Sequence, residues 1–176
     1  MDGLHNDALP DSQQLTKLDL SGNRFSQVPT VLFKNIPLLK NLDMSENYLQ
    51  SLPASAFAGL QHLASLDLHQ NGLRIIEYGA FRDLISLTKL DLSANNIPEL
   101  RCNDAKEKGV FSDLRSIQEI NLSVNVITSL DRCVFVGLWH TLRSLDLSLN
   151  SLASLSTRVF QDMAVLHTLL LCKVGP

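Results

Sequence analysis

One asparagine recurs along the chain with the same apolar residues around it, and this regularity limits the folds open to the chain. It occurs at intervals of 24, 24, 24, 30 and 25 residues, as Asn23, Asn47, Asn71, Asn95, Asn125 and Asn150. Apolar residues stand eight, five and three positions before each asparagine and two positions after it, as do Leu39, Leu42, Met44 and Leu49 around Asn47. A unit this short cannot enclose a core alone, so the units must bury their apolar side chains against one another.

The second half of each unit repeats as well. A phenylalanine stands ten residues after most of the asparagines, and the set comprises Phe33, Phe57, Phe81, Phe111, Phe135 and Phe160. The alternation of apolar residues before each asparagine predicts one short β-strand per unit. The strands would stack as a parallel sheet on a concave face, and the phenylalanine half would return over a convex face through turns or short 3-10 segments. We therefore predict a solenoid of the α/β horseshoe class with a phenylalanine spine.

The repeat also predicts the domain organisation. Complete units begin near residues 15, 39, 63, 87, 117 and 142. Residues 1–14 match the second half of an earlier unit, and residues 166–171 match the strand of a seventh, in which Val174 takes the place of the asparagine. We therefore predict a single array over residues 1–176. No capping unit is visible in the sequence, so we expect self-association or fraying at the ends.

The recurring asparagine has a physical role in such an array. Its side chain contains two donors and an acceptor, and it can satisfy backbone groups of its own unit and of the neighbouring one. Leaving a buried backbone group without a partner costs about 1–3 kcal/mol. The six asparagines are therefore predicted to form a structural ladder.

The segment Leu39–His62, LKNLDMSENYLQSLPASAFAGLQH, resembles the 24-residue typical leucine-rich repeat, and the resemblance extends over almost the whole chain. It implies a leucine-rich repeat solenoid. This subclass is found mainly in extracellular proteins, such as Toll-like receptor ectodomains, small proteoglycans, Slit-like guidance proteins and neuronal adhesion receptors. The resemblance therefore implies an extracellular or cell-surface protein, and it leaves the ligand open because the scaffold serves many ligands.

Three functions stay open at this point. We favour the ligand-binding part of a cell-surface receptor of the Toll-like, innate-immune type. The alternatives are an extracellular matrix or adhesion protein with a structural role, and a cytosolic scaffold or synthetic repeat protein. Residues 1–7 lack the pattern of a signal peptide, and no apolar run has the length of a transmembrane helix. Complete family members have such segments, so we expect the chain to be a fragment.

Recognition on a repeated scaffold usually lies in its variable outward residues. One predicted outward column is acidic and comprises Asp19, Asp43, Asp67, Asp91, Asn121 and Asp146. It would bind a basic ligand or a cation, or it would be solvated and tied to neighbouring residues, which is the interpretation we favour. A second column, which we also place among the outward strand residues, grows apolar toward its end and comprises Gly22, Glu46, Gln70, Ala94, Val124 and Leu149. We hypothesise that a protein or other macromolecular ligand contacts the concave face around Gln118, Glu119, Val124, Arg143 and Leu149.

The cysteines and one asparagine suggest covalent modification. Cys102 and Cys133 follow their asparagines by seven and eight residues in adjacent units, so they would lie near one another, either as a disulfide or as two separate thiols. Cys102 lies in an insertion, residues 101–110, that is either a recognition element or a tolerated surface loop. Asn121-Leu122-Ser123 is a sequon for N-glycosylation on an outward strand position.

Several functions find no support in the sequence. The net charge of -3 and the isoelectric point near 5.9 give no nucleic-acid signature. The five histidines stand in separate units, outside any Ser/His/Asp or metal-binding pattern, and no Gly-rich phosphate loop occurs. We therefore expect no enzyme activity, no cofactor and no metal site.

Overall fold

The computed structural model describes residues 12–103, 108–156 and 158–173, and in them each repeat forms one coil of a solenoid. The strands of the main parallel sheet are β1 (Lys17–Asp19), β2 (Asn41–Asp43), β4 (Ser65–Asp67), β6 (Lys89–Asp91), β9 (Glu119–Asn121), β10 (Ser144–Asp146) and β11 (Thr168–Leu170). The return paths contain the pairs β3 (Ser51–Leu52) with β5 (Ile75–Ile76), and β7 (Cys102–Asn103) with β8 (Lys108–Gly109). They also contain helix α1 (Thr30–Phe33) and a 3-10 helix (Arg132–Phe135).

The register of the main sheet follows the repeat. Leu18 pairs with Leu42, Leu42 with Leu66, and Leu66 with Leu90, and the series continues through Ile120 to Leu145. Equivalent residues of successive coils therefore lie side by side, and each column of the sequence becomes a row on the surface. The predicted leucine-rich repeat solenoid is confirmed.

Aliphatic side chains fill the space between the sheet and the return paths. The inward residues of β2, β4 and β6 are almost fully buried. On the return side the six phenylalanine rings follow one another from Phe33 to Phe160, with centroids 5.9 to 6.3 Å apart. The first five rings are stacked, and the ring of Phe160 is tilted by 33° from that of Phe135. Burial of such a ring contributes about 1.5–3 kcal/mol, so the spine is a major part of the stabilisation of the array.

The ladder asparagines join each coil to the one before it, and Asn95 shows the pattern. Its Nδ2 donates to the carbonyl oxygens of Leu92 in its own coil and of Leu68 in the preceding coil, both at 3.0 Å. Its Oδ1 accepts a hydrogen bond from the backbone N–H of Leu73, also at 3.0 Å. Asn47, Asn71, Asn125 and Asn150 make equivalent contacts. The side chain thus replaces backbone pairing where the chain leaves the sheet.

The two ends of the described array are less well covered than its middle. Leu15 and Leu18 in the first described coil, and Leu166, Leu169 and Leu171 in the last, are only partly buried. The predicted half-unit 1–14 lies outside the described residues except for its last three, and Val174 lies outside them as well. Self-association through the ends stays a prediction.

The insertion is fixed to the next coil at its base. Strands β7 and β8 pair antiparallel, with Cys102 opposite Gly109. A disulfide joins Cys102 to Cys133 across 5.9 Å between Cα atoms. A Cβ atom on Gly109 would lie 2.4 Å from the Cα atom of Val134, so only glycine fits this close approach. Residues 104–107, between the two strands, lie outside the described residues.

Candidate ligand-binding surface

Each aspartate of the acidic column lies at the end of its strand on the concave face. Its Oδ1 accepts a hydrogen bond from the backbone N–H two residues later. Oδ1 of Asp43 accepts from the backbone N–H of Ser45 at 2.9 Å and from its hydroxyl at 2.6 Å. The same contacts recur at Asp19 and Asp91, and the backbone contact recurs at Asp146. At Asp19 these hydrogen bonds stabilise the ionised carboxylate. The side-chain and backbone hydrogen bonds from Ser21 accordingly lower the pKa of Asp19. The column therefore has a structural role in the turn.

His69 takes the place of serine in the third described coil. Its backbone N–H donates to Oδ1 of Asp67 at 3.0 Å, and its ring Nδ1 lies 2.9 Å from the same oxygen. Desolvation lowers the pKa of His69, but the hydrogen bond to Asp67 and the negative charges of Asp67, Asp91 and Asp43 outweigh it and raise that pKa above the ordinary 6.5. His69 is thus a titratable group beside the acidic column.

Asn121 interrupts the acidic column at its fifth position. Its Oδ1 accepts from the backbone N–H and the hydroxyl of Ser123, as an aspartate would. Its Nδ2 donates to Oδ2 of Asp91 in the preceding coil at 3.0 Å. An asparagine here replaces the repulsion of two carboxylates by a hydrogen bond. Asn121 is half-buried, and one hydrogen of its Nδ2 is engaged by Asp91.

The column that grows apolar toward the C-terminal end lies beyond the strands, and this corrects our placement of it among the strand residues. Its members have left-handed backbone conformations, with φ of 64° at Gly22, 55° at Val124 and 57° at Leu149. The left-handed region is uncommon for residues other than glycine, and it is strained for a β-branched residue such as valine. Gly22 is the sequence signal for this conformation, because glycine adopts a positive φ without steric cost.

The five residues that we predicted to border a contact surface are all exposed. Gln118 and Arg143 are neighbours at the start of β9 and β10, where the backbone N–H of Arg143 donates to the carbonyl of Gln118 at 2.8 Å. Val124 and Leu149 lie past the ends of the same strands, with 46% and 48% of their surface exposed. Glu119 lies on β9, and its carboxylate is 3.8 Å from Nζ of Lys89. The structure therefore places a polar pair and an apolar pair at opposite borders of two adjacent coils.

Cys102, Cys133 and Asp131 form a cluster of possible metal ligands, but within it only the carboxylate of Asp131 is free to bind a metal ion. The sulfur atoms of Cys102 and Cys133 and a carboxylate oxygen of Asp131 lie within 4.8 Å of one another. The disulfide uses both sulfur atoms. Cys172 is exposed and unbonded.

Two family models match the chain. The leucine rich repeat model matches residues 13–73 and 37–97, and the model of the BspA type leucine rich repeat region (6 copies) matches residues 107–173. The chain belongs to the leucine-rich repeat family. A comparison with curated proteins gives no match.

Several solved leucine-rich repeat structures are similar to this leucine-rich repeat chain. The TLR13–ssRNA13 complex has 28% sequence identity and a TM-score of 0.75, covering 88% of this chain and 21% of that one. The Toll–Spatzle complex, described as a hub in Drosophila development and innate immunity, has 21% identity and a TM-score of 0.64, covering 97% and 28%. The leucine-rich repeat domain of APL1B has 23% identity and a TM-score of 0.69, covering 86% and 40%. The second and third of these show the fold alone.

These likenesses agree with the leucine-rich repeat fold of the chain. The chain spans between 21% and 40% of the length of these three structures. Solenoids of this family are typically binding modules without enzyme activity, because their variable outward rows supply contact surface. No helix among the described residues has the length and apolar composition needed to cross a bilayer.

Proposed function

We propose that the chain is a ligand-recognition segment of a cell-surface receptor of the Toll-like kind, and that its ligand is a protein or another macromolecule. The observation that carries this proposal is the exposed polar and apolar pair on two adjacent coils. The 28% identity with the TLR13 complex structure supports the receptor class. The disulfide between Cys102 and Cys133 supports an oxidising, extracellular compartment.

The two pairs suit a macromolecule better than a small ligand. Gln118 and Arg143 are separated from Val124 and Leu149 by the strands β9 and β10, each of three residues or about 10 Å. A contact that reaches both borders therefore needs an extended partner surface. Val124 and Leu149 would supply apolar area, and their defined backbone conformation lowers the entropy that binding must remove.

A paired substitution can test this surface without disturbing the fold. Aspartate tolerates the left-handed conformation better than valine or leucine, so Val124→Asp with Leu149→Asp should fold normally. The matched control is Val31→Asp with Ile85→Asp, because these convex-side residues are 45% and 46% exposed.

The assay is a binding screen of the chain against a panel of purified secreted proteins. We expect the native chain and the control to bind the same partner, and the concave-border variant to bind it at least tenfold more weakly. Equal affinity of both variants would refute the proposed surface. Binding that depends on the control residues alone would move the interface to the convex side.

A further inference from the structure

A shallow cavity lies beside the sheet, where three coils leave it. Its volume is about 360 Å³, and its floor is formed by the ladder residues Asn47 and Asn71. We call it the lateral groove and define it by its lining residues Tyr48, Gln50, Gly72, Arg74 and Asn96. It is separate from the concave borders described above, since none of their residues lines it.

The groove exists because Gly72 leaves a gap in a row of side chains. The backbone N–H groups of Tyr48, Gly72 and Asn96 each donate to a carbonyl of the preceding coil at 3.0 Å, so the three backbones are equivalent. A Cβ atom on Gly72 would meet only the carbonyl oxygen of Leu49, at an ordinary contact distance of 3.6 Å. The fold would therefore accept a side chain at this position. The space between Tyr48 and Asn96 is therefore not needed for the stability of the fold.

The walls of the groove offer unused binding groups. Tyr48 is 61% exposed and presents its ring. The guanidinium of Arg74 and the carboxamides of Gln50 and Asn96 have no hydrogen-bond or ion-pair partner in the part of the chain that the structure describes. No carboxylate lines the groove. One aromatic ring, one cation and two carboxamides thus converge on a volume at the lower end of the range for small-ligand sites.

We propose that the lateral groove binds a single acidic sugar residue, a pyranose that bears one carboxylate, at the end of a glycan. The guanidinium of Arg74 would bind the carboxylate through two parallel hydrogen bonds. The ring of Tyr48 would pack against the apolar face of the sugar. The carboxamides of Gln50 and Asn96 contain donors and acceptors, and they match sugar hydroxyl groups, which also donate and accept.

Two other ligand classes fit the same surface less well. A nucleic-acid strand has a charge on every phosphate, whereas the groove has one cation and the nearby concave face has an acidic row. An acidic side chain of a peptide has only acceptors, so the carboxamide oxygens of Gln50 and Asn96 would have to find donors in the peptide backbone or in water. Both classes serve as competitors in the test.

The test measures chemical-shift changes of the Gly72 and Arg74 amides during titration of the whole chain. The probes are methyl glucuronide, N-acetylneuraminic acid, uncharged methyl glucoside, N-acetyl glutamate amide and a short RNA. We expect saturable shifts with at least one acidic sugar, and affinity at least tenfold lower for methyl glucoside. Equal binding of methyl glucoside, preferential binding of the glutamate derivative or the RNA, or no saturable shift would each overturn the proposal.

Single substitutions test whether the chemical-shift changes come from binding in the lateral groove. Arg74→Gln should reduce acidic-sugar affinity at least tenfold, because it removes both charge-assisted hydrogen bonds to the carboxylate. Gly72→Gln should fill the groove and abolish binding while leaving the unfolding midpoint unchanged. Arg115→Gln is the matched control, since Arg115 is also exposed but lies away from the groove. Unchanged sugar affinity in Gly72→Gln would refute the site, and normal sugar binding by the concave-border variant would separate this result from the receptor proposal.

Discussion

Replacement of Asn95 by alanine tests how the coils are held together. Asn95 is 4% exposed, and its Oδ1 is the acceptor for the backbone N–H of Leu73. The carbonyl of Leu68 also receives Nδ2 of Asn71, and that of Leu92 also receives Nδ2 of Asn125. Asn95→Ala therefore leaves each carbonyl with one donor and leaves the N–H of Leu73 with none.

The magnitude follows from this count. One orphaned buried donor costs about 1–3 kcal/mol, and each weakened carbonyl contact costs about 0.5–1.5 kcal/mol. We expect the free energy of unfolding to fall by about 2–6 kcal/mol. The assay is urea unfolding followed by the fluorescence of Trp139, with amide hydrogen exchange at Leu73 as a local readout. Exchange at Leu73 should accelerate more than exchange at distant strands.

Asn96→Ala is the control for this experiment. Asn96 is the next residue, is exposed, and makes no side-chain hydrogen bond in the described ranges. Its replacement should change the free energy of unfolding by less than about 0.5 kcal/mol. If Asn95→Ala were as mild as Asn96→Ala, with unchanged exchange at Leu73, the argument that the ladder replaces backbone pairing would be wrong.

Two further predictions concern the disulfide and the titratable histidine. The bond between Cys102 and Cys133 has a sequence separation of 31 residues, so replacing both by serine in a Cys172→Ser background should cost about 3.7 kcal/mol in urea unfolding; a loss below about 1 kcal/mol would contradict this. The raised pKa of His69 means that its stabilisation is complete below pH 6.5, the unfolded value, and is lost as the pH rises through the folded pKa. The native chain, unlike His69→Asn, should therefore lose up to about 1 kcal/mol between pH 6 and pH 8, and identical pH profiles would exclude the effect of Asp67.

The repeat determined most of the fold from sequence because equivalent residues recur at fixed spacing. The columns of Asn47 and Phe57 place one residue of each type in every coil, and stacking then fixes their neighbours. The backbone conformation was harder to predict from the sequence. Val124 and Leu149 align with Gly22, yet their own side chains favour other conformations, and tertiary stacking imposes the left-handed one.

Contacts between columns were the part that sequence could not supply. The hydrogen bond from Asn121 to Asp91 depends on the register between coils and on side-chain rotamers. The spacing of Cys102 and Cys133 gave their proximity but not the directions of their Cβ atoms, so bonding stayed open. The groove at Gly72 was missed because an absent side chain is visible only when its neighbours on both sides are in place.

The phenylalanine spine has a consequence for the surface on the far side of the domain. Its rings are 5.9 to 6.3 Å apart, whereas neighbouring strands in a sheet are about 4.8 Å apart. Successive coils are therefore farther apart at the spine than at the sheet, so the solenoid curves toward the side of the sheet. Replacing the spine phenylalanines by smaller or larger side chains would change the radius of curvature of the concave face. Every residue on the concave face itself would stay the same.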